Sequence, residues 1–205
     1  MTLRLYYGPR SRAFTALWLL EELELAYELE SFPLHEGRHK KPGYLALNPM
    51  GKVPLVVDGD VAIAETGAIA LYLSDQSGKL GPSVTSSERA AFLRWMFFAG
   101  GVMEPCFGEK FFKWEVPAAS VAWGSFDAME KVLTAGVTPG PFLLGDEFSV
   151  ADVVVGATAR FGVMFKAFDE QGPIADYVNR LTARPAFLRA MAIEDRESER
   201  FPPAP

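Results

Sequence analysis

The sequence predicts an α/β domain followed by an all-helical domain. Strand and helix patterns alternate up to about residue 76, and a stretch rich in turn formers, Gln76-Ser77-Gly78-Lys79-Leu80-Gly81-Pro82-Ser83, then interrupts them. Beyond it the strand signals fade and helical spacing dominates. The expected division is an α/β domain over 1–76, a linker over 77–85 and a helical domain over 86–205.

Leu3-Arg4-Leu5-Tyr6-Tyr7 reads as a strand with Leu3, Leu5 and Tyr7 on one face. Phe14, Leu17, Trp18 and Leu20 to Leu23 recur at helical spacing, with Glu21, Glu22 and Glu24 expected to point outward. Tyr27 to Phe32 forms a second strand. Leu55-Val56-Val57 is a short β-branched run, Asp58-Gly59 a hairpin turn and Val61-Ala62-Ile63 the return strand. Glu65-Thr66 then opens an apolar helix through Ala68 to Leu73. The order is βαβ, then ββα. After the linker, Ser87 is expected to cap a helix running through Trp95 to Phe98. Ser149-Val150-Ala151-Asp152 has the spacing of a capping box ahead of the apolar run Val153 to Phe161, with Phe148 placed as a hydrophobic staple, which is a structural signal.

Composition bounds the function classes. A chain of 205 residues with 49% hydrophobic content has enough apolar material for a substantial core. The formal net charge of −6 and a pI near 5.1 argue against nucleic acid or an anionic membrane as the main partner. The lone cysteine, Cys106, builds no internal disulfide, and no cysteine-histidine spacing points to zinc, so no metal is expected. A strand begins at once, without the pattern of a signal peptide, and no apolar run approaches about 18 residues. The expectation is a soluble cytoplasmic protein.

Residues Asn48 to Thr66, NPMGKVPLVVDGDVAIAET, hold the densest chemical signal. A helix start offers unpaired N–H groups and partial positive charge, so a ligand carboxylate suits Thr66 while Glu65 accepts from an ammonium. Such a pair fits one end of a small peptide. Here the sequence resembles the glutathione transferase superfamily, whose site has a proline after the edge residue and a Glu/Gln-Ser/Thr pair at the following helix. The resemblance extends to LYYGPRSRAFTALWLLEELELAYE, similar to the family's first strand, active-site turn and first helix in its bacterial, serine-type form. It includes Gly37-Arg38-His39-Lys40-Lys41-Pro42, FLLGDEFSVADVVVGA and the closing NRLTARPAFLRAM, in the family's order across nearly the whole chain. It implies a thioredoxin-like N-terminal domain, an all-α C-terminal domain, glutathione as co-substrate and a homodimer.

The resemblance also assigns roles. Sulfur must react as thiolate, and a free cysteine thiol has a pKa of about 8.5. Lowering that by about two units takes roughly 2.7 kcal/mol, within reach of a hydroxyl donor at a helix start. Ser11 falls at the family's site serine; its alternative is a simple N-cap. Tyr7 is the rival, because other branches use a tyrosine at the end of the first strand; its alternative is core packing. Arg12 either adds positive potential or is solvated. Val53-Pro54 matches the edge segment, where the family has a cis proline, and Thr66 stands where serine is commoner. Glu65 is a ligand group or a surface acid. His39 and Lys40 hold the glycyl carboxylate or form a solvated basic loop, Lys52 reaches the ligand, and Lys41 faces solvent.

The electrophile's wall is expected between the halves in Met103 to Trp123, where Met103, Phe107, Phe111, Phe112, Trp114 and Trp123 cluster in sequence. The alternative is that most of these are helix core or a subunit contact. Cys106 is expected only to pack. The leading expectation is an enzyme that conjugates the glutathione thiolate to an apolar electrophile, a detoxifying reaction. A non-catalytic carrier or interaction module, and a glutathione-dependent isomerase or lyase, are the alternatives.

Overall fold

A computed structural model of the protein describes residues 3–203. The chain forms two compact units, one comprising the segment up to Ser77 together with that from Arg184 onward, the other Gly78–Ala183. The closing helix therefore packs with the α/β unit, whereas the sequence grouped it with the helical domain.

In the first unit, β1 (Leu3–Tyr7), α1 (Ala13–Leu23) and β2 (Tyr27–Ser31) form a parallel crossover. After the short α2 (Pro42–Leu45), β3 (Leu55–Asp58) and β4 (Val61–Ala64) form a hairpin leading into α3 (Thr66–Ser77). The sheet order is β2-β1-β3-β4, with β3 antiparallel to both neighbours. This is the thioredoxin-like arrangement. Asp58 pairs with Val61, so the hairpin's two loop residues are Gly59 and Asp60, one position later than the sequence placed them.

Leu3, Leu5 and Tyr7 are buried on one face of β1, as alternation predicts. On the other face Tyr6 packs on Phe32, Tyr44 and Leu55. Helix α1 is buried nearly all round, because it packs against α3 and also against α9 (Pro185–Arg200). That second layer overturns the expectation of outward acids at Glu21 and Glu22, whereas Glu24 is exposed as expected. Glu22 accepts a two-pronged ion pair from Arg184 at 2.7 and 2.8 Å and the Trp18 indole N–H at 2.9 Å. Glu21 takes Arg189 at 2.8 Å. Phe187 of α9 stands edge-on to Phe14 and Trp18, at 5.5 and 5.1 Å.

The second unit contains α4 (Arg89–Phe98), a π-helical turn (Ala99–Met103), α5 (Glu104–Phe112), α6 (Phe126–Val137), α7 (Val150–Met164) and α8 (Pro173–Thr182). No side chain caps α4 at Glu88; Ser86, rather than Ser87, accepts the Glu88 N–H at 3.2 Å. The Asp152 signal is structural. Its buried carboxylate accepts from Leu143 N, Ser149 N and the Tyr177 hydroxyl at 2.9 Å each, and from the Ser149 hydroxyl at 3.0 Å. Burial pushes the Asp152 pKa up while these bonds pull it down. Gly162 lets aromatic rings lie directly on α7: a Cβ there would stand 2.4 Å from Phe168 and 2.8 Å from Phe107. Among the described residues no helix is long and apolar enough to cross a membrane.

Candidate functional site

Four chain segments meet at one end of the sheet. Tyr6 pairs with Leu55 and Leu55 with Ala64, so one step past the ladder brings Tyr7, Pro54 and Glu65 together. Parallel β2 leaves at the same end, where the Phe32 N–H donates to the Tyr7 carbonyl at 3.0 Å. Residues far apart in sequence, Tyr7, Pro54 and Glu65, thus emerge side by side, and the turn to Ser11 starts from there.

Ser11 lies in the turn between β1 and α1. Its hydroxyl donates to the Gly8 carbonyl at 2.6 Å and accepts the Ala13 N–H at 3.1 Å, so it caps the first turn of α1 while holding its own turn closed. These contacts are those of the capping alternative for Ser11. An oxygen that accepts from a helix-end N–H is a better donor through its own proton. Swinging that proton from Gly8 to a ligand sulfur gives up one neutral hydrogen bond, about 1 kcal/mol net, for a charge-assisted one roughly twice as strong.

Tyr7 is fully buried, and its hydroxyl is engaged by Glu194 of α9. The carboxylate also accepts the Arg10 backbone N–H at 2.7 Å and the Ser198 hydroxyl at 3.3 Å. Burial raises the Glu194 pKa, Asp195 adds to the rise, and the Arg10 and Ser198 bonds oppose it. Sequence reasoning missed Glu194, which lies 187 residues from its phenol partner with no local pattern to announce it.

The Val53-Pro54 bond is cis. Val53 packs on the Phe32, Tyr44 and Leu55 cluster, and the loop before it is pinned because the Lys52 carbonyl accepts from Tyr44 at 2.5 Å and from Asn48 at 2.9 Å. Glu65 is exposed with φ +68°, a left-handed backbone that non-glycine residues rarely adopt and that clusters at functional sites. Its carbonyl accepts the Ile69 N–H at 2.9 Å, so Glu65 caps α3 and Thr66 begins it.

The basic residues gather at the same loop. Lys40 Nζ donates to the Met50 carbonyl at 3.3 Å, and Gly51 (φ +58°) lies so close to the His39 carbonyl that a Cβ would stand 2.8 Å away. The His39 pKa is lowered by burial first, then by Lys40 and Lys52. Its buried Nδ1 has no hydrogen-bond partner among the described residues. Lys41, Lys40 and Lys52 are exposed.

The aromatic segment behaves differently. Met103 (0% exposed) and Phe107 (3%) fill the core of the second unit, Phe107 packing on Phe168 at 5.5 Å and Phe111 at 6.0 Å. Phe111 (44%) and Trp114 (48%) lie at its surface. Phe165, also exposed, sits 6.4 Å from Phe111 and stacks on Phe161 at 6.0 Å; the i, i+4 spacing of these two phenylalanines was the signal available in the sequence. Cys106 is buried there, its thiol pKa pushed up to about 11 by burial and by Glu109.

Comparison with known proteins agrees with this fold. Residues 1–75 match the family described as glutathione S-transferase, N-terminal domain. The disulfide-bond oxidoreductase YfcG of Escherichia coli is 28% identical over 204 residues, covering 91% of this chain and 93% of the relative. The crystal structure of a glutathione transferase from Methylococcus capsulatus is 29% identical with a TM-score of 0.78, covering 95% of this chain and 100% of that one. Glutathione S-transferase 3 of Zea mays is 30% identical over 163 residues, 73% of each chain. With this fold, this convergence at the sheet end and these relatives, the chain belongs to the glutathione S-transferase family.

Proposed function

We propose that the protein is a glutathione transferase that binds glutathione at the sheet end of its first unit and directs the thiolate at an apolar electrophile, as a cytoplasmic homodimer. The observation that carries this is the convergence of a helix-start hydroxyl (Ser11), a cis-proline edge (Val53-Pro54) and an acid-hydroxyl helix start (Glu65-Thr66). Each suits a different part of one tripeptide. Thr66 and the N–H groups of α3 suit the γ-glutamyl carboxylate, Glu65 its ammonium, and the Val53 backbone the cysteinyl unit. His39, Lys40 and Lys52 suit the glycyl carboxylate.

The thiol proton leaves to solvent and Ser11 donates to the resulting sulfur anion. The thiolate then attacks carbon: an S–C bond forms, and either a leaving group departs with its electron pair or, in an addition, the adjacent atom takes a proton. Tyr7, buried and bound to Glu194, is the weaker candidate for the sulfur contact. Phe111 and Trp114, with the still more exposed Phe112, are the members of the aromatic segment that offer exposed rings to an apolar substrate.

Thiol–disulfide exchange is a second reading, favoured by the name of the Escherichia coli relative. Its nucleophile would be glutathione itself, since Cys106 is buried with its thiol pKa near 11. The test is glutathione-dependent turnover of an aryl halide against that of a small alkyl disulfide. Faster conjugation supports the first reading, disulfide exchange alone the second, and neither, with glutathione bound, a carrier.

A further inference from the structure

We propose that Glu194 is a positioning residue for Ser11, holding the active-site turn in place from the far end of the chain. The inference rests on the reading of Ser11 as the sulfur's hydrogen-bond donor and extends it to a group that touches no substrate.

The turn from Tyr7 to Ser11 is tied to α9 at several points in five residues. One carboxylate oxygen of Glu194 accepts the Tyr7 hydroxyl; the other accepts the Arg10 backbone N–H at 2.7 Å. The Arg10 guanidinium reaches the same helix end, donating to the Ser198 carbonyl at 3.1 Å and to the Phe201 carbonyl. A cation at the last carbonyls of a helix is where the helix dipole favours one. Arg10 also has φ +57°, a conformation an arginine keeps only where its surroundings hold it. Ser11 is the next residue, and its hydroxyl contacts Gly8 and Ala13 lie on either side of Arg10. The direction of the hydroxyl therefore depends on the backbone that Glu194 grips.

A carboxylate accepts both donors at once, one on each oxygen. Glutamine offers one acceptor oxygen, so it can take the Arg10 N–H only if the phenol reverses to accept from its NH2, and both charge-assisted bonds are lost. Aspartate is one methylene shorter.

The test compares wild type, Glu194→Gln and the milder Tyr7→Phe in the full chain, by hydrogen exchange and by thiolate chemistry. Exchange in peptides covering residues 8–13 should quicken about ten-fold in Glu194→Gln, with α8 unchanged as the control. With glutathione as the probe, kcat should fall about five- to twenty-fold and the bound thiol's pKa should rise, while KM for glutathione stays within about three-fold. Tyr7→Phe should shift both readouts the same way by less, and the double variant should be no worse than Glu194→Gln. A lower melting temperature with unchanged kcat and thiol pKa would mean a purely structural tether and would overturn the proposal. If Glu194→Gln does not fold, Tyr7→Phe and Ser198→Ala carry the same comparison. A wild type that binds glutathione without ionising it refutes the role of Ser11 and this inference with it; unchanged variants beside an ionising wild type refute this inference alone.

Discussion

The sheet-end site of the first unit and the aromatic segment of the second were both conspicuous in the sequence, yet the fold treated them differently. At the sheet end, strand register brings Tyr7, Pro54 and Glu65 together, and the turn holding Ser11 and the helix begun by Thr66 leave from there. In the aromatic segment, Met103 and Phe107 fall into the core while Phe111 and Trp114 stay outside. Signals that constrain backbone geometry place residues together; signals made of side-chain type alone do not, since apolar groups serve a core and a binding surface equally well.

The comparison breaks most visibly at Phe107. Phe107→Ala should cost about 3–5 kcal/mol in denaturant unfolding, whereas Phe111→Ala and Trp114→Ala should each cost under about 1 kcal/mol and act, if anywhere, on the KM for an apolar electrophile. Equal losses at all three positions would erase the distinction between core and surface in that segment. Glu65→Ala should weaken glutathione by roughly 1.5–3 kcal/mol in calorimetry, with little change in stability. Unchanged affinity would make Glu65 a surface acid despite its left-handed backbone.

A pH experiment sharpens the glycyl end. Burial and two lysines lower the His39 pKa, so the folded protein takes up that proton less readily than the unfolded chain does. The associated stability is present above the unfolded pKa of about 6.5 and is lost as pH falls through the window below it. A carboxylate docking at His39 reverses the shift. Binding of S-methylglutathione, which has no thiol to ionise, should therefore take up protons near pH 6, read from calorimetry in buffers of different ionisation enthalpy. No proton uptake would remove His39 from the site. The smallest effect concerns Cys106: alkylation should proceed only after unfolding, since few thiols with a pKa near 11 are ionised at neutral pH.

Much of the first unit was legible because its information is local. Alternation in Leu3 to Tyr7, the β-branched run at Leu55 and the turn formers before Val61 each follow from neighbours in sequence. The hairpin slipped by one residue because Asp58-Gly59 and Gly59-Asp60 are both good turn pairs, and only strand register chooses between them. Glu22 was misread as solvated because helical spacing shows which residues share a face, not that a helix 162 residues away covers it through Arg184. Glu194 was invisible for the same reason. Long-range partners of polar groups leave no period in the sequence, so nothing near Tyr7 announces that its hydroxyl donates to Glu194, while the Ser11 hydroxyl bonds within its own turn.

The most direct test of the choice between Tyr7 and Ser11 is the thiolate absorbance of bound glutathione across pH in wild type and in Ser11→Ala. The account predicts ionisation well below the free thiol's value in wild type, a rise of about one unit or more in the variant and turnover lowered by about ten-fold or more, with affinity little changed. Identical titration curves in the two proteins would contradict it and return Tyr7 to the centre of the site.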